Sequence, residues 1–438
     1  MRPPSSLCQQ EFRAVSPPGP ACFDRAEGSC YDRLLEELIE TRLGVENDYL
    51  KQARANIEQI RAHRRDFHRH PELGFHEVRT AGIVAEHLRG LGLEVRTGVA
   101  ATGVVGLLRT GKPGPTAAVR ADMDALPMEE KSGAPYASTV AGAAHACGHD
   151  AHTAMLMETA RLLARSAGRL RGSVKFLFQP CEDMIPSGAA PMIEQGVLED
   201  PKVDGIFTLH ISTSYPVGTL WVKPGFISIS SAGFKLVLQG KGGHVSQPHR
   251  GVDPITMAGM LIIGSQTLMH RANEPGKTLV FGFGAVHGGT ADNIIPDEVR
   301  LTGSIRAADP EARTQAIEGF RRIVEGVCRS AGGAHRLDIE IQNPSIYNDP
   351  GMVELLKAAG AKVLGADNVR EYQQIMSGGD DAALFHQKVP GVYWLLGARN
   401  EAKGFDKPGH SPCFDFDEEA LPLGAAVHAQ AVEDFLLR

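Results

Sequence analysis

The sequence predicts an α/β protein with a mainly parallel central sheet and a smaller α+β unit inserted into it. Apolar runs of strand length alternate with helical patterns, as they do in sheets covered on both faces. From about residue 226 the order becomes strand, helix, strand, strand, helix, strand, which is that of a ferredoxin-like unit. At 438 residues the chain is too long for one typical core, so we expect two domains.

Composition excludes several classes of protein. Hydrophobic residues make up 42% of the chain and charged residues 22%, which is ordinary for a globular protein. The net charge of −7 offers no basic face to nucleic acid or to an anionic membrane. Seven scattered cysteines do not form a disulfide framework. No run is long enough to span a membrane and the N-terminus lacks the apolar core of a signal peptide, so we predict a cytoplasmic protein.

The larger domain is expected over residues 31–225 and 343–438. Residues 1–30 are rich in proline, serine and glycine and are predicted to be a disordered or loosely attached segment. Helical patterns then cover residues 31–68 and 80–91, and short strand patterns follow at 93–95 and 104–108. The helix and strand alternation resumes after residue 342 and includes a strand at 393–396.

The inserted unit is expected over residues 226–342. Its predicted strands and helices, in chain order, are strand 234–238, helix 254–270, strands 278–283 and 299–306, helix 310–329 and strand 336–341. The two connections near residues 225 and 342 form a natural hinge, so the unit is expected to act as a lid.

Three apolar runs of the larger domain are each followed by residues that bind metals. Asp122 and Asp124 follow the run 116–121, Glu182 and Asp183 follow 173–178, and His210 follows 205–209. In open α/β sheets, ligands bind beyond the carboxyl ends of the parallel strands. We therefore expect these side chains to meet at one edge of the sheet.

The stretch HACGHDAH, residues 145–152, places cysteine, histidine and aspartate at the start of a predicted helix. Gly148 lets the backbone turn sharply, so Cys147 and His149 can point into one small volume. Thiolate, imidazole and carboxylate are ligands of a zinc-like ion. The ordinary alternative is a polar surface turn that contains an incidental cysteine.

The candidate ligands suffice for two divalent ions: Cys147, His149, Asp183, His210 and His410. Glu182, beside Asp183, would be free to take a proton from water and pass it to a leaving amine. The ordinary alternative for this pair is a solvated acidic loop. A second chemical alternative is a thiol hydrolase with Cys147 as nucleophile and His149 as base, but it leaves the other candidates without a role.

Seven motifs in order resemble the aminoacylase, carboxypeptidase and hippurate-hydrolase superfamily of dinuclear metallohydrolases. The similarity is greatest to the branch of N-acyl-amino-acid amidohydrolases and auxin-conjugate hydrolases, and it does not cover the chain before about residue 50. The motifs are RRDFHRHPELGFHEVRTA, VRADMDALP, HACGHDAHT, FQPCED, GKGGHVSQPHRGVDP, HGGTADNIIPDEVRLTGSIR and GHSPCFDFDEEAL.

The resemblance implies a phosphorylase/hydrolase-like catalytic domain and a lid that forms a homodimer or higher homo-oligomer. It implies two divalent ions per subunit, zinc first, with manganese, cobalt and nickel as alternatives. Cys147 would bridge the two ions, and the other four candidates would complete the site. Glu182 would be the general acid and base, and Asp124 would support the ligands from behind.

Three residues of the inserted unit also match positions of the family. His244 would reach across a dimer into the partner's active site and stabilise the oxyanion. Asn293 and Arg306 would hold polar groups of the substrate, and an arginine suits a free α-carboxylate through bidentate pairing.

The expected function is metal-dependent hydrolysis of the amide bond of N-acyl amino acids or similar conjugates, by a metal-bridging water that Glu182 activates. The alternatives are a dipeptidase or carboxypeptidase of the same superfamily and a non-catalytic binding protein on this fold. The sequence departs from the family at Cys181, at Asp183 in place of glutamate, at residues 184–186 and at residues 211–215. These departures leave the reaction intact and leave the acyl group and the amino acid open.

Overall fold

The computed structural model describes residues 47–376 and 378–438. The predicted segment 1–30 and the first part of the predicted helical stretch, residues 31–46, lie outside the described residues. The helices described are α1 Asp48–Ala55, α2 Ile57–Arg69, α3 Val78–Gly90, α4 His149–Arg165, α5 Ala189–Glu194, α6 Pro254–Ala272, α7 Pro310–Ala331, α8 Pro350–Leu364, α9 Ala382–His386 and α10 Ala420–Leu436.

The strands form two larger sheets and two short two-stranded ones. Their bounds are β1 Glu94–Val99, β2 Gly103–Arg109, β3 Thr116–Asp122, β4 Ser173–Gln179, β5 Gly205–Pro216, β6 Leu220–Trp221, β7 Gly225–Phe226, β8 Ser230–Gln239, β9 Gly243–His244, β10 Leu279–Gly288, β11 Ile294–Ile295, β12 Glu298–Ala307, β13 Ala334–Ile341, β14 Tyr347–Asn348, β15 Val369–Arg370 and β16 Gly391–Arg399.

The central sheet has eight strands in the order β1-β2-β4-β3-β5-β16-β6-β15. Its middle four strands, β4, β3, β5 and β16, run parallel to one another. Strands β1 and β2 at one side are antiparallel to their neighbours. The predicted α/β class with a mainly parallel central sheet is therefore confirmed.

Both faces of this sheet are buried, which explains the unbroken apolar runs of its strands. Val119 and Phe176 face the main core, to which α4 and α10 contribute. Ala118 and Leu177 face the other side, in a core shared with α5 and α9. A fully buried side chain of this kind contributes about 1.5–3 kcal/mol, so the parallel strands are a firm base for the residues that follow them.

The second larger sheet lies within residues 230–341 and is antiparallel, in the order β10-β12-β8-β13. The elements run β8, α6, β10, β12, α7, β13 along the chain, as the sequence pattern predicts. They enclose a separate core, in which the Phe234 and Phe320 rings lie 4.7 Å apart. That this unit is a lid and a dimerisation domain stays a prediction.

Strand β5 is longer than predicted. The apolar pattern ends at Leu209, whereas the strand continues to Pro216. The extension forms because β16 pairs with it in parallel beyond that point, with Leu395 opposite His210 and Gly397 opposite Ser212. His210 is therefore a residue within the strand rather than the residue after it.

A buried arginine ties three segments together behind the predicted metal site. Arg64 of α2 contacts Asp150 at the start of α4 at 2.8 Å and Asp415, ahead of α10, at 2.9 Å. Burial alone would raise the pKa of Asp150, but the Arg64 guanidinium outweighs it and holds that pKa well below its usual value. The pair fixes α4, and with it the turn at Gly148.

None of the described helices is long and apolar enough to cross a membrane.

Candidate metal centre and active site

The turn before α4 requires glycine at position 148. Its φ is 89°, and a Cβ atom there would lie 2.5 Å from Cδ1 of Ile211. The turn places Cys147 and His149 on either side of it. The carbonyl of Ala146, in the same turn, accepts a 2.8 Å hydrogen bond from the backbone N–H of His410, which brings the C-terminal loop to this point.

The five residues predicted as ligands lie together in two groups that share Cys147. Their ligand atoms lie within 4.8 Å of one another in each group. Sγ of Cys147 is 3.3 Å from Nε2 of His210, and Nε2 of His410 is 3.6 Å from Oδ1 of Asp183. The groups are Cys147, His149 and His210, and Cys147, Asp183 and His410. A donor shared by two neighbouring groups of candidate ligands would suit two nearby divalent ions, and the individual ligand roles stay predictions.

Two buried polar atoms test whether a cation fits this site. Nε2 of His149 and Oδ2 of Asp183 are buried, have no hydrogen-bond partner in the described residues, and lie 3.8 Å apart. A buried acceptor without a partner is costly, and a metal ion between two such atoms would satisfy both. The residues present therefore fit divalent metal ions.

His210 is in the protonation state that binds metal. Burial, with His152 nearby, lowers its pKa to about 3, so the ring is neutral. Its Nδ1–H donates to the carbonyl of Ile211 at 2.6 Å, which leaves Nε2 as the free nitrogen beside Cys147.

Asp124 accepts hydrogen bonds from the side chain of one predicted ligand and from the backbone of another. Its Oδ1 accepts a hydrogen bond from Nδ1 of His149 at 3.2 Å, and its Oδ2 accepts one from the backbone N–H of Asp183 at 3.1 Å. Burial alone would raise the pKa of Asp124, but the hydrogen bond from His149 outweighs it, so the pKa is lowered. The sequence-based role of Asp124, support from behind the ligands, has this geometry and remains a prediction.

His152 lies at the site, but both of its ring nitrogens hydrogen-bond to the protein. Its Nδ1–H donates to Oδ1 of Asp122 at 2.6 Å, and its Nε2 accepts from the backbone N–H of Ile211 at 2.9 Å. The ring packs edge-on against His210, with centroids 4.6 Å apart. Both nitrogens are used, so His152 is not available to a metal ion although it groups with Asp122 and His149. No role for His152 is predicted from the sequence. Its position three residues after His149 puts both side chains on one face of α4, and this spacing could have indicated that His152 lies at the site.

Glu182 lies buried beside two carboxylates that the sequence pattern did not assign. It forms a group of acids with Asp380 and Asp381. Burial raises the pKa of Glu182 well above its usual value, and Asp380 and Asp183 raise it further. Arg120 contacts Asp380 and Asp381 at 3.1 Å and so offsets part of this negative charge. A carboxyl group with a raised pKa can both take up and return a proton, which is what a general acid and base does.

Cys147 is unsuited to act as a free nucleophile. Burial raises the pKa of its thiol to about 11, although His149 opposes that shift. A nucleophilic cysteine needs a lowered pKa, whereas a thiol that coordinates a metal ion is deprotonated by it. The thiol-hydrolase alternative is therefore disfavoured.

A cavity of about 430 Å³ opens beside the predicted ligands. Its walls come from β5, β16, the loop before α9 and the loop around His410. The described lining residues are Cys147, Glu182, Asp183, His210, Ile211, Ser212, Thr213, Ser214, Tyr215, Met376, Gly378, Gly379, Asp380, Tyr393, Leu395, Pro408, Gly409, His410 and Phe414.

The three predicted residues of the inserted unit do not line this cavity. His244 and Asn293 line a separate opening, where the side chain of His244 hydrogen-bonds to Ser246. Arg306 is exposed on β12, opposite Val280 and Ser231 of the neighbouring strands. Within one chain, the structure brings together the predicted residues of the central sheet and leaves these three apart from them.

Comparisons with known proteins agree with the fold. The chain is 42% identical over 369 residues to thermostable carboxypeptidase 2 of Saccharolobus solfataricus, covering 84% of this chain and 92% of that protein. It is 37% identical to N-acetylcysteine deacetylase of Bacillus subtilis, with coverage of 84% and 94%. It is also 37% identical to the IAA-amino acid hydrolase ILR1-like 4 of Arabidopsis thaliana, with coverage of 85% of each chain.

A solved structure has the same fold and a described metal site. The YXEP protein of Bacillus subtilis, a dinuclear metal-binding peptidase of the M20 family, matches with a TM-score of 0.76 and 34% identity, over 88% of this chain and 99% of that one. The mainly parallel sheet and the clustered donors at its edge thus define a metallohydrolase. The chain belongs to peptidase family M20/M25/M40, whose model matches residues 118–434. The sequence-based family resemblance is confirmed.

Proposed function

We propose that the protein is a metal-dependent amidohydrolase that releases amino acids from N-acyl amino acids or similar amide conjugates. The observation that carries the proposal is the position of Glu182, buried beside two groups of ligands that share Cys147. Relatives named for N-acetylcysteine deacetylation and for IAA-amino acid hydrolysis support amide substrates that bear an acyl group.

Two divalent ions, held by Cys147, His149, Asp183, His210 and His410, would supply Lewis acidity toward the scissile carbonyl and would make water more acidic. Zinc is our first choice of metal because thiolate and imidazole ligands suit it, and manganese, cobalt or nickel can use the same donors.

Glu182 performs the proton transfers in this proposal. Its carboxylate takes a proton from the attacking water and then gives a proton to the nitrogen of the leaving amine. Burial raises its pKa, and Asp380 and Asp183 raise it further, which favours the protonated form that must make the second transfer. Asp124 keeps His149 in the tautomer whose Nε2 faces the metal site.

The site is completed by a second copy of the chain. We propose that His244 enters a partner's cavity and donates to the developing oxyanion, and that Asn293 and Arg306 hold the substrate's polar groups. His244 is exposed and lies outside its own chain's cavity, which supports this reading. Met260 and Ile263 on α6 are exposed apolar side chains of the inserted unit that a second copy would cover.

A carboxypeptidase or dipeptidase is the second candidate, favoured by the 42% identity to a thermostable carboxypeptidase. A panel of N-acetyl, N-benzoyl and indole-acyl amino acids with several dipeptides separates the two. Each compound is assayed as purified, after chelation, and after zinc or manganese is restored. Metal-restored release of amino acid from the acyl compounds supports the proposal; release from dipeptides alone supports the second candidate. No turnover with no bound metal would contradict both.

A further inference from the structure

Resting on the proposed amide hydrolysis, we propose that the cavity of about 430 Å³ receives the acyl group of the substrate. We propose in addition that Tyr215, stacked on Trp221, makes the enzyme select flat apolar acyl groups over acetyl. Tyr215 lies at one of the positions where the sequence departs from its family, in the stretch 211–215.

The charge of the cavity decides which end of the substrate it takes. Its described lining contains no lysine or arginine, and it contains three carboxylates, Glu182, Asp183 and Asp380. A free α-carboxylate placed there would lack a basic side chain to pair with. Arg306, the predicted partner of that carboxylate, lies on the inserted unit outside the lining. The uncharged acyl end therefore belongs in the cavity.

The shape and lining of the cavity fit an acyl group larger than acetyl. Ligand pockets of about 300–1,000 Å³ hold molecules of drug size, so acetyl would fill only a small part of this one. Six of its described lining residues are apolar or aromatic: Ile211, Tyr215, Met376, Tyr393, Leu395 and Phe414.

The ring of Tyr215 is held in one orientation by its neighbours. Its ring stacks on that of Trp221 with centroids 4.2 Å apart and planes 19° apart. Nε1–H of Trp221 donates to Oγ1 of Thr219 at 2.8 Å, which fixes the indole. Tyr215 reaches the cavity because β5 continues past His210 to Pro216. A ring held in this way offers a flat surface to another flat group without losing freedom on binding.

Two hydroxyl groups near Tyr215 have hydrogen-bond partners within the protein. Oγ1 of Thr213 donates to the carbonyl of Lys407 at 2.7 Å, and Oγ of Ser212 accepts from the backbone N–H of Ser214 at 3.2 Å. The Thr213 hydroxyl in particular is already used as a donor and is less available to a polar acyl group.

The first measurement is the ratio of kcat/KM for N-phenylacetyl-alanine to that for N-acetyl-alanine, with zinc-loaded protein. We expect a ratio of about ten or more in the natural chain, since ring burial and stacking each favour the aromatic group. Tyr215→Ala should lower the ratio about fivefold and Tyr215→Phe should keep it, because the ring rather than the hydroxyl makes the contact. Tyr347→Ala is the matched control, since Tyr347 also packs on an aromatic ring, that of Phe226, but lies outside the cavity.

The second measurement separates this inference from the proposed function. Calorimetry with the Glu182→Ala variant measures binding of the same two compounds without turnover, and is repeated with Tyr215→Ala added. If the natural chain hydrolyses neither compound, the proposed function fails, yet tighter binding of the phenylacetyl compound that depends on Tyr215 still supports the acyl site. Equal binding of both compounds, or equal loss of both activities in Tyr215→Ala, overturns it.

Discussion

Nδ1 of His149 lies 3.2 Å from Oδ1 of Asp124, and Nε2 on the other side of the same ring lies 3.8 Å from Oδ2 of Asp183. The aspartate thus determines which nitrogen of the imidazole faces the predicted metal site. Partners of this kind orient metal ligands and make them more basic.

Asp124→Ala should therefore weaken metal binding about 10–100-fold without removing any predicted ligand. Competition with a chromophoric chelator would measure the affinity. Asp338→Ala removes an exposed carboxylate of β13 and should leave the affinity unchanged. An Asp124→Ala variant with the affinity of the natural chain would mean that the hydrogen bond to His149 does not matter to the metal.

Glu182→Gln should keep the metal content and lower kcat about 10²–10⁴-fold, since the amide is nearly the same size but cannot accept and return a proton. Metal analysis and turnover of the best N-acyl amino acid are measured on the same sample. Glu86→Gln, at an exposed position on α3, is the control and should retain activity. Substantial turnover by Glu182→Gln would remove it from the acid and base role.

Gly148→Ala should destabilise the protein and reduce its metal content together. The left-handed backbone costs an alanine about 1–2 kcal/mol, and the clash with Ile211 adds to this. Gly82→Ala in α3 meets nothing within 4 Å and should stabilise by about 0.5–1 kcal/mol. Denaturant unfolding measures both. A neutral Gly148→Ala variant would show that the turn can rearrange.

Glu130 should make stability depend on acid pH. Burial alone would raise its pKa, but hydrogen bonds from His68 and Ser132 outweigh it and lower the pKa from 4.5 to about 2. The ionised carboxylate therefore stabilises the folded state above pH 4.5, and this contribution is lost as the pH falls toward 2. The difference in unfolding free energy between the natural chain and Glu130→Gln should be largest near pH 6 and shrink on acidification. A difference in unfolding free energy that does not change with pH would contradict the lowered pKa of Glu130.

Mixing two inactive variants tests the exchange of His244 between subunits. Glu182→Ala and His244→Ala should each lose most activity alone. After joint unfolding and refolding at equal amounts, half the dimers are mixed and each has one intact site, so about a quarter of the natural activity should return. If mixed dimers form but no activity returns, His244 acts within its own chain or takes no part in the reaction.

The sequence predicts which residues lie at the edge of the sheet better than it predicts the side-chain contacts behind that edge. Strand patterns placed Asp122, Glu182 and His210 near one edge because parallel strands buried on both faces have unmistakable apolar runs. The course of β5 beyond Leu209 was missed, since Ser212 and Ser214 interrupt the apolar pattern while pairing with β16 maintains the strand.

The contacts of His152 and Arg120 could not be predicted in the same way. His152 is tied to Asp122 and to the backbone of Ile211, and Arg120 to Asp380 and Asp381, residues far away in the chain. Such pairings depend on how separate segments pack, which no local pattern encodes. The same holds for His244, whose predicted place depends on a second molecule.

The link between His410 and the Gly148 turn has a consequence for the order of events during synthesis. The backbone N–H of His410 binds the carbonyl of Ala146, and the His410 side chain, 57% exposed, joins the group of Cys147 and Asp183. A ribosome-bound chain that ends before this residue has only one of the two complete groups of predicted ligands. With His410 as a predicted ligand, a second ion would be captured only after residue 410 has emerged from the ribosome.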